Sequence, residues 1–255
     1  MSFKDKDHFS GHAACYQQFR PSYPDALFAY LASLCSSRVL AWDCATGNGQ
    51  AAVALAPYFD GLIATDASAQ QIEQAQPDTK VKYLVAPAEH APIAAGTIDL
   101  VTVAQALHWL DLKGFYPEVN RVLKHGGFLA VWCYQLHSIS PEIDTIVQRL
   151  YSDIVGPYWP PERKVVEDGY KSLPFPFDEL TTPEFRMVHT WNLAHARGYI
   201  DSWSSTQRYR KQNNADPYAI IEADLKAAWG DPETTRDVIW PLHLRLGRKA
   251  SSPAS

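Results

Sequence analysis

AWDCATGNGQAA, residues 41–52, is the stretch on which the fold turns. It closes the short apolar run RVLAWDC and leads into GQAAVALAPYF, whose apolar residues recur at helical spacing, so a strand gives way to a helix here. One glycine would suffice for such a turn, yet Asp43, Ala45, Gly47 and Gly49 follow in quick succession. Without a Cβ, a glycine takes unusual dihedrals and lets a ligand approach the backbone. Strand, glycine-bearing turn and helix make the nucleotide-binding corner of an open α/β sheet, where ligands sit outside the carboxyl ends of the strands.

The pattern continues outward from this corner. PDALFAYLASLCS (24–36) predicts a helix with Pro24 at its start. GLIATD (61–66) is a second strand, and SAQQIEQAQ a helix capped by Ser68. KVKYLVA (80–86) is a third strand, and TIDLVTVAQA (97–106) a fourth that ends near Ala104. DLKGFYPEVNRVLK is an amphipathic helix stopping before His125-Gly126-Gly127, read as a helix-to-strand turn, and FLAVWCY is a fifth strand. Strand and helix alternating at this spacing predict a doubly wound, Rossmann-like, mostly parallel sheet.

After residue 137 the rhythm changes. SPEIDTIVQRLYSDIV, HARGYIDSWSS and PYAIIEADLKAAWG look helical, YWPPERKVVEDGYKSLPFPF irregular, EFRMVHTWNL strand-like, and TTRDVIWPLHLRLGRK suits a final strand. The expected organisation is an N-terminal arm and first helix (1–36), an α/β core (37–137), a lid or insertion with one or two sheet strands (138–230), a final strand region (231–248) and a disordered tail (249–255).

Composition narrows the function. A formal net charge of −5 argues against nucleic acid as the partner. No apolar stretch is long enough for a bilayer, and the polar start MSFKDKDHFSGH lacks a signal core, so a cytoplasmic enzyme without membrane partner is expected. The 4 cysteines form no C-x-x-C pair and the 9 histidines have no metal-ligand spacing, so neither disulfide nor metal is expected.

Two cofactor classes compete for the corner. A dinucleotide wants G-x-G-x-x-G, which Gly47-x-Gly49 and Ala52 approach with a small third residue. An acid ahead of the glycines, D-x-A-x-G-x-G, better suits a ligand with an ammonium group and no phosphates, attracted by Asp43 directly or through water. A nicotinamide dehydrogenase is therefore the poorer alternative. No Gly-Lys-Ser/Thr is present, which excludes a P-loop.

DCATGNGQ, IATDAS, VAPAEHAPIAAGTIDLVTVAQALHW and RVLKHGGFLAVW, in this order, resemble a class I S-adenosylmethionine-dependent methyltransferase of the type 11 group. Within it the chain is similar to the trans-aconitate methyltransferase-like proteins, which carry a similar AWD-x-G-T-G-N-G-Q loop and AQA-x-HW segment. The resemblance implies an enzyme whose cofactor is S-adenosylmethionine. Asp43, Ala45, Gly47 and Gly49 would line its methionine part, Asp66 the ribose hydroxyls, Ala67 the adenine face, and Ala88 and Glu89 the adenine edge. Gln105 would lie near the sulfonium, and Tyr16 and Arg20 would fold over the ligand. Asp66 follows Asp43 by 23 residues, in keeping with the general ribose-acid spacing. The chain departs from the family at Ala45, in place of the first glycine, and at Pro87, where many relatives carry an acid.

The resemblance also implies a small-molecule methyl acceptor. Carrying over trans-aconitate chemistry makes that acceptor a carboxylate, with Arg163, Arg208 or Arg210 as clamps and Trp109, Trp159, Trp203 and Tyr209 as pocket walls. His108 stands at a strand end inside the motif core, either as a general base or as a packed, shape-setting residue. A non-catalytic cofactor- or partner-binding member is the remaining alternative.

Overall fold

The computed structural model describes residues 21–250, and their contacts divide them into two units. The first comprises residues 23–135, 164–185 and 242–250; the second comprises 21–22, 136–163 and 186–241.

The first unit is built on a sheet. Its parallel strands are β1 (Leu40–Cys44), β2 (Gly61–Asp66), β3 (Val81–Val85), β4 (Ile98–Ala104) and β5 (Leu123–Tyr134), in the order β3-β2-β1-β4-β5. Beyond β5 lie the antiparallel β8 (Arg236–Arg248), whose residues 242–248 belong to this unit, and then the edge strand β6 (Asp178–Leu180). Helices α1 (Asp25–Leu34), α2 (Gln50–Leu55), α3 (Ala69–Glu73), α4 (Leu112–Val122) and α6 (Arg163–Glu167) complete the α/β pattern. The order reverses between β1 and β4, and a doubly wound sheet opens its ligand crevice at that point. The expected doubly wound, mostly parallel fold is what forms.

Central strands explain themselves by burial. Every residue of β4 from Ile98 to Val103 is buried, as a strand covered on both faces requires. Trp42 of β1 is fully buried, lies 6.4 Å from the Phe115 ring of α4, and donates its indole N–H to Thr65 Oγ1 at 2.9 Å. Removing such a side chain costs about 3–5 kcal/mol. Asp99 sets where β1 begins: its Oδ2 accepts from Val39 N and Leu40 N at 3.0 and 3.1 Å, while Lys124 Nζ reaches Oδ1 at 2.6 Å.

Three elements differ from their sequence expectation. The segment His125-Gly126-Gly127 is no turn: β5 starts at Leu123, directly after α4, and absorbs the glycines through a register shift against β4. The helix after β2 is only five residues long, because Gln74 leaves helical geometry. The segment expected to be irregular, residues 158–177, contains α6.

The second unit contains α5 (Pro141–Arg149), which continues as a wider π turn over Leu150–Ile154, α7 (Leu193–Asp201), α8 (Ser204–Asn213), α9 (Glu222–Trp229) and most of β7 (Phe185–Trp191). Strand β7 pairs with β8. The interior here is aromatic. Trp240 contacts Trp191 and Tyr199 at ring distances of 4.8 and 5.5 Å, and Tyr199 lies 5.8 Å from Trp203.

His137 is boxed in by this cluster, 5.4 Å from Tyr199 and 5.5 Å from Trp240, and its Nδ1 has no hydrogen-bond partner. Burial pushes its pKa down from 6.5 to about 4. The unfolded chain therefore takes up a proton that the folded chain refuses, so this contribution is present above pH 6.5 and disappears as pH falls toward 4. Between pH 7 and pH 5 the loss is about 2 kcal/mol. Urea denaturation at both pH values, compared with His137→Phe, checks this: the wild type should lose that much more stability than the variant, and parallel losses would contradict it.

Candidate active site

The glycine turn is held from two sides. Behind it, Asp43 at the end of β1 is fully buried; its Oδ2 accepts from Thr46 Oγ1 at 2.5 Å and its Oδ1 from Thr102 Oγ1 at 2.7 Å. Thr102 is its register partner on β4, so one carboxylate ties β4 to the loop. In front, Asp66 at the tip of β2 accepts from Gly47 N and from Ser68 N, each at 2.9 Å. Thr46 N adds a bond to Thr65 O at 2.9 Å, pinning the loop to β2.

This geometry corrects one expectation. Asp43 has no exposed surface with which to meet an ammonium group directly; it works on the loop from within the core. Desolvation raises its pKa from 3.8 to about 6, against the opposing hydrogen bonds from the two threonine hydroxyls. Only the second carboxylate, Asp66, is part-exposed.

The two glycines also have separate jobs. A Cβ on Gly49, at φ +86°, would lie 2.2 Å from Tyr83 Oη, so that position is reserved for packing against β3. Among the described residues, a Cβ on Gly47, at φ +56°, would meet nothing closer than Gln71 Oε1 at 3.8 Å, so this is the glycine whose backbone they leave approachable. Ala45 itself sits at φ +55°, left-handed geometry that favours glycine. The strain sits at the position where the resemblance implies a glycine.

Around the strand tips, Ala67 is exposed while Ala88 is buried. Ala86 N bonds Asp66 O at 2.9 Å, joining the ends of β2 and β3. Glu89 lies across the start of α4, with Oε1 accepting from Asp111 N at 3.3 Å. Gln105, just past β4, adopts φ +55° and donates from Nε2 to Tyr134 O at 3.3 Å, while its Oε1 is buried without a partner. Three residues on, His108 lies in a 3₁₀ turn, Leu107–Trp109; its ring is 4.7 Å from Trp109 and its Nδ1 is 2.8 Å from Tyr170 Oη. Tyr16 and Arg20 lie outside the described residues.

The remaining candidates belong to the second unit. Trp159 and Trp203 come together at 5.8 Å, both against Tyr151, whereas Tyr209 packs separately on Tyr158 at 5.0 Å. Trp203 is only 2% exposed, which makes it mainly core. Arg210 is spent on Asp201 and Asp216, and Arg208 donates to Tyr158 O at 3.3 Å. Arg163 differs from both. Its Nε donates to Tyr151 Oη at 2.6 Å and its guanidinium lies 4.9 Å from the centre of the Trp159 ring, with no carboxylate partner among the described residues. Sequence reasoning missed Thr46, Thr102, Tyr83 and Tyr170, since nothing local marks them as partners.

Among the described residues no cluster of three or more His, Cys, Asp or Glu could hold a metal ion, and no helix is long and apolar enough to cross a membrane.

The chain is similar to known proteins. A family profile described as a methyltransferase domain matches residues 42–131. A provisionally named methyltransferase of Dictyostelium discoideum is 35% identical over 254 residues, covering 96% of each chain. A solved structure from Anaeromyxobacter dehalogenans, provisionally described as a type II methyltransferase, is 41% identical, spans 92% of this chain and 100% of its own, and matches with a TM-score of 0.88. A Saccharomyces cerevisiae protein, provisionally named an S-adenosylmethionine-dependent methyltransferase, is 30% identical over 150 residues, 55% of this chain and 49% of its own. The chain belongs to the class I S-adenosylmethionine-dependent methyltransferases. It is a methyl-transferring enzyme, and S-adenosylmethionine is its cofactor.

The residues present fit that cofactor. Gly47 leaves its α-carbon open, Asp66 presents a carboxylate oriented by two backbone N–H groups, and the buried Gln105 Oε1 lacks a donor, as suits a cationic ligand.

Proposed function

We propose that the enzyme methylates a small-molecule carboxylate and that residues of the β1–β4 corner hold its cofactor. Asp66 accepts from the two ribose hydroxyls. The loop from Ala45 to Gly49, supported from behind by Asp43, lines the methionine part. Ala67 lies beside the adenine, and Ala88 and Glu89 at its edge. Gln105 turns its unpartnered oxygen toward the sulfonium. When bound, S-adenosylmethionine would supply a sulfonium methyl carbon for in-line attack by an acceptor oxygen, the O–C bond forming as the C–S bond breaks and its electron pair leaves with sulfur.

A carboxylate is already a nucleophile at neutral pH, so the protein needs only to hold it close and aligned. The single observation supporting this acceptor is Arg163, a guanidinium braced by Tyr151 and Trp159 and with no carboxylate partner among the described residues. Arginine presents paired N–H donors that match a carboxylate, and an aromatic shelf orients them. Trp159, beside Arg163, supplies apolar wall at the acceptor. The finer placement beside the trans-aconitate methyltransferase-like proteins rests on this same carboxylate chemistry.

Release of S-adenosylhomocysteine with a panel of di- and tricarboxylates, amines and phenols tests the proposal. The carboxylates should turn over, and Arg163→Gln should raise their KM about tenfold or more, the worth of one lost charge-assisted hydrogen bond. Turnover confined to amines or phenols, or an unchanged KM in the variant, would overturn it.

A further inference from the structure

We propose that Tyr170 is a positioning residue that holds His108 in one ring orientation and in the Nε2–H tautomer, making that histidine a hydrogen-bond donor to the acceptor rather than a general base. The tautomer and its dependence on Tyr170 stand independently; only the donor role toward the acceptor rests on the carboxylate reading above.

Tyr170 follows α6 and is fully buried. It adopts φ +65°, immediately after Gly169 at φ +69°. A bulky aromatic in left-handed geometry is a strained residue, and it persists only where its surroundings over-determine it. They do so here. Tyr170 N bonds Val165 O at 3.0 Å, and Tyr170 O accepts from Arg245 Nη1 at 2.8 Å. The same Arg245 nitrogen donates to Leu173 O, and the guanidinium is anchored by two 2.8 Å bonds to the Glu179 carboxylate. One arginine of β8 thus clamps the backbone on which Tyr170 is strained.

The strained tyrosine brings its hydroxyl to 2.8 Å from His108 Nδ1, with the two rings 5.8 Å apart. On the other side, Gln105 three residues earlier carries its own left-handed backbone, at φ +55°. Two non-glycine residues in left-handed geometry therefore flank one histidine, on segments 62 residues apart in the chain for the contacting pair. A phenol hydroxyl is a good donor, and neutral imidazole has one acceptor nitrogen. Donation from Tyr170 Oη to Nδ1 leaves the proton of neutral His108 on Nε2. A histidine in that form can give a hydrogen bond to a carboxylate oxygen. It has no basic nitrogen at Nε2 with which to deprotonate an acceptor, and a carboxylate acceptor has no proton to lose.

Nitrogen NMR of the uniformly labelled full-length enzyme above pH 7, with His108 assigned by difference against His108→Asn, reads the tautomer directly. The wild type should show an unprotonated Nδ1 and a protonated Nε2. Tyr170→Phe, which keeps the ring and deletes the hydroxyl, should shift His108 toward the Nδ1–H form or a mixture. It should also lower kcat about tenfold with S-adenosylhomocysteine affinity unchanged within about twofold, the cost of one misdirected hydrogen bond. Protonated Nδ1 in the wild type, or an identical His108 spectrum in the variant, would overturn the proposal. Should the variant misfold, the wild-type spectrum alone decides the tautomer. If the acceptor proves to be an amine or phenol while the tautomer responds to Tyr170 as stated, the acceptor assignment has failed and the positioning role stands.

Discussion

Asp66→Ala is expected to weaken S-adenosylhomocysteine binding by at least about a hundredfold while leaving the chain folded. Two ribose hydroxyls bonded to one carboxylate are worth about 1.5–3 kcal/mol each, since hydrogen bonds to a charged group are the stronger kind. The variant also strips Gly47 N and Ser68 N of the acceptor that now orients both turns, so part of the loss is preorganisation. Asp66 is only part-buried, and its removal opens no core cavity. Asp66→Asn, nearly isosteric, should fall almost as far, because an amide nitrogen cannot accept from those N–H groups. Calorimetric titration of both variants measures this, and an affinity within about twofold of the wild type would remove Asp66 from the ribose site.

Gly49→Ala should destabilise the protein by about 2–3 kcal/mol, whereas Gly47→Ala should cost about 1 kcal/mol and act on the ligand instead. Both positions are left-handed, so both variants pay the conformational term. Only at Gly49 does the new methyl collide with a neighbour, Tyr83 Oη at 2.2 Å, and that hydroxyl is itself held by a 2.6 Å bond to Gln76 O. Relief therefore requires β3 or its tyrosine to move. Urea midpoints of the two variants, alone and combined with Tyr83→Phe, separate the contributions: the second change should recover part of the Gly49→Ala loss and none of the Gly47→Ala loss. Equal midpoints for the two single variants would show that the glycines are not divided in this way.

The strands between Leu40 and Tyr134 and the turn after β1 were legible because each is a short local pattern: an apolar run, a capping serine, an acid at a strand tip. Asp66 fell into that class. What escaped depended on register or distance. Asp43 reads as a ligand contact until Thr102 is known to be its register partner on β4, and pairing between strands leaves no mark in either one. Gly49 reads as room for a ligand until Tyr83 occupies the space. Arg210 and Arg163 look alike in sequence; the acids that neutralise Arg210 separate them, one of them Asp216, six residues ahead. Gly126-Gly127 looks like punctuation, yet a strand can absorb glycines through an irregular register.

The proposed chemistry needs a turn after β1 that carries a sulfonium nucleoside rather than a pyrophosphate. Calorimetric titration of the full chain with S-adenosylhomocysteine, with NADH as the matched control, puts that to the test most directly. The account predicts saturable one-to-one binding of the first and no heat from the second; tight NADH binding with no response to S-adenosylhomocysteine would contradict it.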